Sequence, residues 1–112
     1  MILLIIVYVR HNGQVTAGTV IEALGDPVRR QVVMLLSGGP RRAGEIAAEI
    51  GMSAPATSRH LRVLLQAFVI EDERIDADAR ARVFRLRTQS ITAARAWLDE
   101  ILAGEGGLGI AR

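Results

Sequence analysis

A chain of 112 residues is the size of one domain, and with half of them hydrophobic it can bury a modest core that a second copy could enlarge. Fourteen basic residues, all Arg, oppose twelve acids for a net charge of +2, so attraction to a polyanion must come from where the charges lie rather than from their sum. The absence of cysteine excludes a disulfide framework and a thiolate metal site.

The opening Met1-Ile-Leu-Leu-Ile-Ile-Val-Tyr-Val9 is apolar and β-branched. It is about half the ~20 residues a membrane-spanning helix needs. It also lacks the basic flank and small-residue cleavage site of a signal peptide, so neither a membrane nor an export route is expected and the cytoplasm is the default location. Residues 1–14 read as an N-terminal apolar extension, either a covered strand or a segment outside the fold. Residues 15–103 are expected to form the domain proper, and the Gly-rich 104–112 a flexible tail.

Within the domain, Thr16 to Leu24 reads as a first helix carrying Val20, Ile21 and Leu24, stopped at Gly25. Asp26-Pro27 is an N-cap followed by Pro at the first helical position. Val28, Val32, Leu35 and Leu36 supply the apolar stripe of that second helix, and Ser37-Gly-Gly-Pro40 stops it. In the next helix, Ile46, Ala47 and Ile50 share a face, and Gly51 stands where a left-handed residue would end it. Ser53 is placed to N-cap a fourth helix, whose first turn tolerates Pro55. Thr57, Leu61, Leu64 and Phe68 fall on one stripe of this helix. Ala54, Ser58, Arg59 and Arg62 then point outward, a layout suited to phosphates and base edges in a major groove. Val69 to Ile75 and Ala81 to Arg87 read as strands of a hairpin closed by Asp76-Ala-Asp-Ala-Arg80. A last helix from about Ser90 to Ala103 gathers Ile91, Ala94, Trp97 or Leu98, Ile101 and Leu102 on one broad apolar face, with Asp99 and Glu100 on its solvated side. Trp97 fits either a seam between two chains or the chain's own core, and the small size of the domain favours the seam.

Charge is unevenly spread. Between Pro27 and Gln66, Arg29, Arg30, Arg41, Arg42, Arg59 and Arg62 face only Glu45 and Glu49, while acids gather from Glu71 to Asp78. The basic stretch coincides with the helix-turn-helix pattern, as a nucleic-acid reader requires. No catalytic constellation accompanies it. Ser37, Ser53, Ser58 and Ser90 have no His–acid pair at a recognisable spacing, and no Gly-rich phosphate loop precedes a helix, so an enzyme is not expected.

Ala23-Leu-Gly-Asp-Pro-Val-Arg-Arg30, Glu45-Ile-Ala-Ala-Glu-Ile-Gly51, Ser53-Ala-Pro-Ala-Thr-Ser-Arg-His-Leu-Arg-Val-Leu64 and Arg80-Ala-Arg-Val-Phe-Arg-Leu86 stand in an order and spacing that resembles the ArsR/SmtB-type bacterial transcriptional repressors. The resemblance covers Glu22 to Leu102. It implies a mostly α winged helix-turn-helix fold, with a three-helix core, a two-stranded β-hairpin wing and a C-terminal dimerisation helix. It also implies a homodimer that binds an inverted-repeat operator in double-stranded DNA and represses transcription. Ser53, Ala54, Pro55, Ser58, Arg59 and Arg62 match the family's DNA-facing positions, and Arg80 and Arg82 are what remains of a basic wing. Arg59 is the expected base contact, because Arg can hold guanine O6 and N7 bidentately. Ser53 and Ser58 are expected to set register on the backbone or, in the blander reading, to cap a helix and face solvent. Arg62 should reach phosphate. Arg29 and Arg30 are candidates for the same role or are merely solvated. His60 should pack the recognition helix. Val20, Leu24, Ala94, Trp97, Leu98 and Ile101 are the expected dimer contacts.

The sequence departs from that pattern in several places. The wing tip is acidic at Asp76 and Asp78, which repels phosphate. Ala67 stands where relatives usually carry a helix-ending Gly, Thr57 replaces an apolar residue, and Arg42 replaces a capping Ser or Thr. Family members that sense metal use Cys in the helix before the recognition helix or His and acids in the last helix. Arg41-Arg-Ala-Gly-Glu45 has no Cys, Asp99-Glu100 has no His nearby, and His11 and His60 lie far apart, so neither metal nor cofactor is expected. Release from DNA is left to an unidentified small molecule or partner, or to nothing beyond the protein's own concentration. The rival readings are a winged helix that binds a partner chain through its acidic hairpin and Trp97 surface after losing DNA affinity, and an RNA-binding winged helix.

Overall fold

The computed structural model describes residues 17–75 and 82–111, with side chains to residue 104. Among them are five helices and a two-stranded antiparallel sheet: α1 over 17–23, α2 (Pro27–Leu36), α3 (Ala43–Ile50), α4 (Ala54–Gln66), β1 (Ile70–Arg74), β2 (Arg82–Leu86) and α5 (Thr88–Ala111). The apolar Met1–Val9 segment and the acidic hairpin tip lie outside the described residues.

The helix boundaries follow the local chemistry. The Asp26 carboxylate accepts the Val28 and Arg29 N–H groups at 2.8 and 3.2 Å and starts α2. The Arg29 N–H, with help from the Val28 N–H and the Arg29 guanidinium, holds the Asp26 carboxyl below its ordinary range despite some opposing desolvation. At the start of α3 the Arg42 side chain makes no cap bond; instead Glu45 Oε1 accepts the Arg42 N–H at 2.8 Å, half of a capping box. Gly51 closes α3 at φ 75°, with its N–H on Ala47 O at 2.8 Å, and Ser53 Oγ accepts the Ala56 N–H to open α4.

Val20, Val32, Leu36, Ile46, Leu61, Leu64, Val69, Ile70 and Phe84 form one core drawn from α1 to α4 and the sheet. Thr57 is buried on the same stripe with its hydroxyl unpaired among the described residues, a desolvation cost that an apolar residue would avoid. Pairing runs from Ile70 opposite Leu86 to Arg74 opposite Arg82. Arg41 adds an isolated bridge to Phe84, exchanging N–H to O bonds of 3.0 and 2.8 Å, which anchors the wing to the segment leading into α3.

Two expectations need correction. Phe68 is not on the α4 stripe, because the helix ends at Gln66 and Phe68 follows its C-cap. The left-handed residue there is Phe68, at φ 60°, whereas Ala67 has φ −86° and ψ 0°. The Phe68 N–H reaches Leu65 O and the Val69 N–H reaches Leu64 O, both at 3.0 Å, so Phe68 occupies the position of a Schellman turn that glycine favours. The turn is held regardless: Ser90 Oγ donates to Phe68 O, and the Arg87 guanidinium lies 5.7 Å from the centre of the phenyl ring. Since alanine pays the left-handed cost without the ring's contacts, Phe68→Gly should be more stable than Phe68→Ala by about 1 kcal/mol, read from urea unfolding midpoints at unchanged slope. Equal stability of the two variants would show that this turn stores no strain.

The α5 backbone runs helical past Gly104 to Ala111.

Candidate nucleic-acid interface

Helix α4 is amphipathic in the sense the sequence predicts: Thr57, Leu61 and Leu64 point into the core, while Ser53, Ala54, Pro55, Ser58, Arg59 and Arg62 are all exposed. The Arg59 and Arg62 side chains have no ion pair or hydrogen bond among the described residues. Two solvated guanidiniums thus stand on a rigid helix, Arg59 in its second turn and Arg62 in its third, while the helix dipole adds positive potential at the N-terminal turn before them. Ser53 is a true cap, and its exposed hydroxyl lies at the same end of the helix.

The other basic residues divide. Arg29 and Arg30 turn back onto the chain: Arg29 Nε donates to Ala23 O and Arg30 Nη1 to Leu24 O, each at 2.7 Å. Both guanidiniums therefore serve the orphan carbonyls at the end of α1, a stronger use than solvation and a correction to their candidacy for phosphate. Arg29 Nη1 also lies 3.4 Å from His60 Nδ1 and 3.9 Å from Asp26 Oδ2. The first contact requires that ring nitrogen unprotonated, and it ties α2 to the half-buried His60 on α4. Arg82 pairs with Asp72 across the sheet and lies 5.2 Å from the Phe84 ring centre, and Arg85 pairs with Glu73 at 3.2 Å. Much of the acidic charge of β1 is thereby answered within the wing itself. Arg80 lies outside the described residues.

Sequence reasoning counted Arg42 in the basic stretch and as a poor cap, but not as a site residue. Its side chain, unpaired among the described residues, lines a cavity between α3, α4 and the sheet together with Ser58, Arg62 and Arg82. No local signal could have found this convergence, because the three arginines come from three different elements.

The proposed dimer contacts also separate by burial. Val20 and Ala94 belong to the chain's own core, 0 and 6% exposed, so they support the fold and are not free to meet a second copy. The physical reason is that α1 and the first turns of α5 pack onto the body, with Ser90, Ile91 and Ala94 facing inward. Leu24 is half-buried against that core. Beyond Ala94 every described side chain of α5 is exposed, including Trp97 at 43%, Leu98 at 50%, Ile101 at 46% and Leu102 at 68%. Trp97 is therefore not a core residue of the single chain.

A helix-turn-helix whose second helix presents its polar face to solvent, followed by a two-stranded wing and a terminal helix, defines a winged helix-turn-helix protein. A model described as the arsR family of bacterial regulatory proteins matches residues 26–71, which span α2, α3, α4 and the start of β1. The HTH-type transcriptional regulator Rv2034 of Mycobacterium tuberculosis is 40% identical over 78 residues, 70% of each chain. The transcriptional repressor SdpR of Bacillus subtilis is 47% identical over 55 residues, covering 49% of this chain and 61% of SdpR. The solution structure of the homodimeric winged helix-turn-helix domain of Mb0332 from Mycobacterium bovis, a possible ArsR-family transcriptional regulator, superposes with a TM-score of 0.61 at 25% identity, covering 81% of each chain. The chain belongs to the ArsR family.

Proposed function

We propose that this protein is a transcriptional repressor that acts as a homodimer, seating one α4 helix in each of two successive major grooves of an inverted-repeat operator. The carrying observation is the outward face of α4, where Arg59 and Arg62 are exposed and uncompensated while the opposite face is locked into the core. Arg59 reads a base, Arg62 and Ser58 hold phosphate, and Ser53, Ala54 and Pro55 allow close approach of the helix start. Arg82 contacts the backbone only if it leaves Asp72, so the wing adds little to affinity. Residues 15–103 form the DNA-binding and dimerisation unit, with the second half of α5 as the seam. The name of SdpR supports repression, and the homodimeric Mb0332 domain supports the pairing.

The role is binding rather than catalysis. Release from DNA is assigned to a signal other than metal, because Arg41-Arg-Ala-Gly-Glu45 carries no Cys and Asp99-Glu100 has no neighbouring His. No helix among the described residues is long and apolar enough to cross a membrane. The protein-docking rival has weaker support, since the Asp72 and Glu73 carboxylates it would use are already paired with Arg82 and Arg85.

The test is titration of the protein onto fluorescent duplex from its own upstream region and onto a scrambled duplex, at several salt concentrations. A DNA reader gives a slope of log K against log salt of several units, about −0.9 for each phosphate neutralised, and prefers the upstream duplex by at least about 10³-fold. Absence of binding to either duplex at about 0.1 M salt rejects the proposal. Preference for an RNA duplex of the same sequence replaces it with the RNA reading.

A further inference from the structure

Three arginines line a cavity of about 580 Å³ beside the recognition helix; Arg82 is already paired with Asp72, while Arg42 and Arg62 have no partner among the described residues. Arg42 enters from the start of α3, Arg62 from α4 and Arg82 from β2. Ser58 adds a hydroxyl, and the Ala43 and Gly44 N–H groups of the first turn of α3 have no intrahelical acceptor. A Cβ at Gly44 would meet nothing within 4 Å, so the helix start is open to the cavity. Glu45 is the acid among the lining residues, and its carboxylate is occupied by the Arg42 N–H. Leu61 and Phe84 below are 3 and 5% exposed and already covered, so the apolar surface left to a ligand is that of the half-buried Ala43 and Leu65.

We infer that this cavity is an effector site for a small organic anion, an apolar body carrying a carboxylate or similar group. The volume falls within the range of small-molecule sites, about 300–1,000 Å³. A lone DNA phosphate would use the Arg42 and Arg62 guanidiniums and leave Ala43 and Leu65 uncovered. A flat apolar ligand can lie against Ala43 and Leu65 while its anionic end takes charge-assisted bonds from Arg42 and Arg62. Binding would draw Arg62 and Ser58 away from the face that meets DNA, so the ligand and the operator oppose each other, each lowering the other's affinity by the same factor. Only this regulatory consequence rests on the DNA-binding reading; the cavity and its ligand chemistry do not.

The experiment is a ¹⁵N-resolved NMR titration of the full chain with 2-naphthoate, 2-naphthamide and inorganic phosphate, paired with operator binding by anisotropy. The expected result is a saturable shift of the Gly44, Ser58 and Arg62 amides with 2-naphthoate, and binding of the amide and of phosphate weaker by about tenfold or more. Arg42→Gln, an exposed and unpaired position, should keep the spectrum of a folded chain and lose about tenfold in naphthoate affinity. Operator affinity should fall as the site saturates. No saturable shift up to about 5 mM, shifts confined to the exposed α5 face, or phosphate binding as tight as naphthoate would each overturn the site. Naphthoate binding with unchanged operator affinity overturns the antagonism. Naphthoate binding by a protein that binds no DNA leaves the site standing and removes the DNA reading instead.

Discussion

Replacing Arg59 by Ala should weaken binding to the operator by about 5- to 150-fold, the equivalent of the roughly 1–3 kcal/mol that a bidentate guanidinium–guanine pair discriminates. Binding to scrambled duplex should change little, because phosphate contacts carry no sequence information. The side chain is suited to this measurement. It is exposed, it has no partner among the described residues to leave stranded, and it sits outside the buried stripe of α4, so its removal does not disturb the core. Arg62→Ala provides the contrast. It should weaken operator and scrambled DNA alike and make the salt slope shallower by about one unit. If Arg59→Ala behaves as Arg62→Ala is expected to, Arg59 holds phosphate and base reading must be sought at Ser58 or nearer the helix start.

Leu98→Glu combined with Ile101→Glu should convert a dimer into a monomer, seen by sedimentation as a halving of mass, while the helical signal of the folded chain persists. Both side chains are about half exposed in the single chain, at 50 and 46%, so about half the full value of burying each, itself ~1.5–3 kcal/mol, is left for a partner to supply. A two-fold seam uses each residue twice, and the loss is then about 3–6 kcal/mol before any cost of burying charge, or roughly 10²- to 10⁴-fold in the dimer dissociation constant. The fold should survive because neither residue belongs to the core, which takes from α5 only its first turns. Operator binding should collapse with the dimer, since one half-site carries only part of the contacts and the linked second site is lost. A wild-type chain that sediments as a monomer at tens of micromolar would remove this seam, and with it the two-groove geometry.

What was legible in the sequence was local. The Asp26 cap, the Gly51 turn and the Ser53 cap each depend on a few adjacent residues, and each stands in the structure where its spacing puts it. The stripe of Thr57, Leu61 and Leu64 was legible for the same reason: a helix of 3.6 residues per turn carries one face at that spacing, and the opposite face is exposed by geometry. The turn after α4 was misread by one residue. The family resemblance marked Ala67 as the anomaly, but the hydrogen bonds from Phe68 and Val69 put the left-handed conformation on Phe68, where Ser90 and Arg87 from beyond the wing support it.

From the sequence alone came the order of elements, the outward residues of α4 and the apolar face of α5, because periodicity and capping act within a few turns of one segment. Tertiary structure decided which arginines are free, turning Arg29 and Arg30 onto the end of α1 and leaving Arg59 and Arg62 in solvent. It decided that Val20 and Ala94 are core while Trp97 is not, and it brought Arg42, Arg62 and Arg82 around one cavity. The reason is physical: whether a charge is spent or available, and whether an apolar side chain is covered or waiting, depends on neighbours distant in the chain, which no local pattern records.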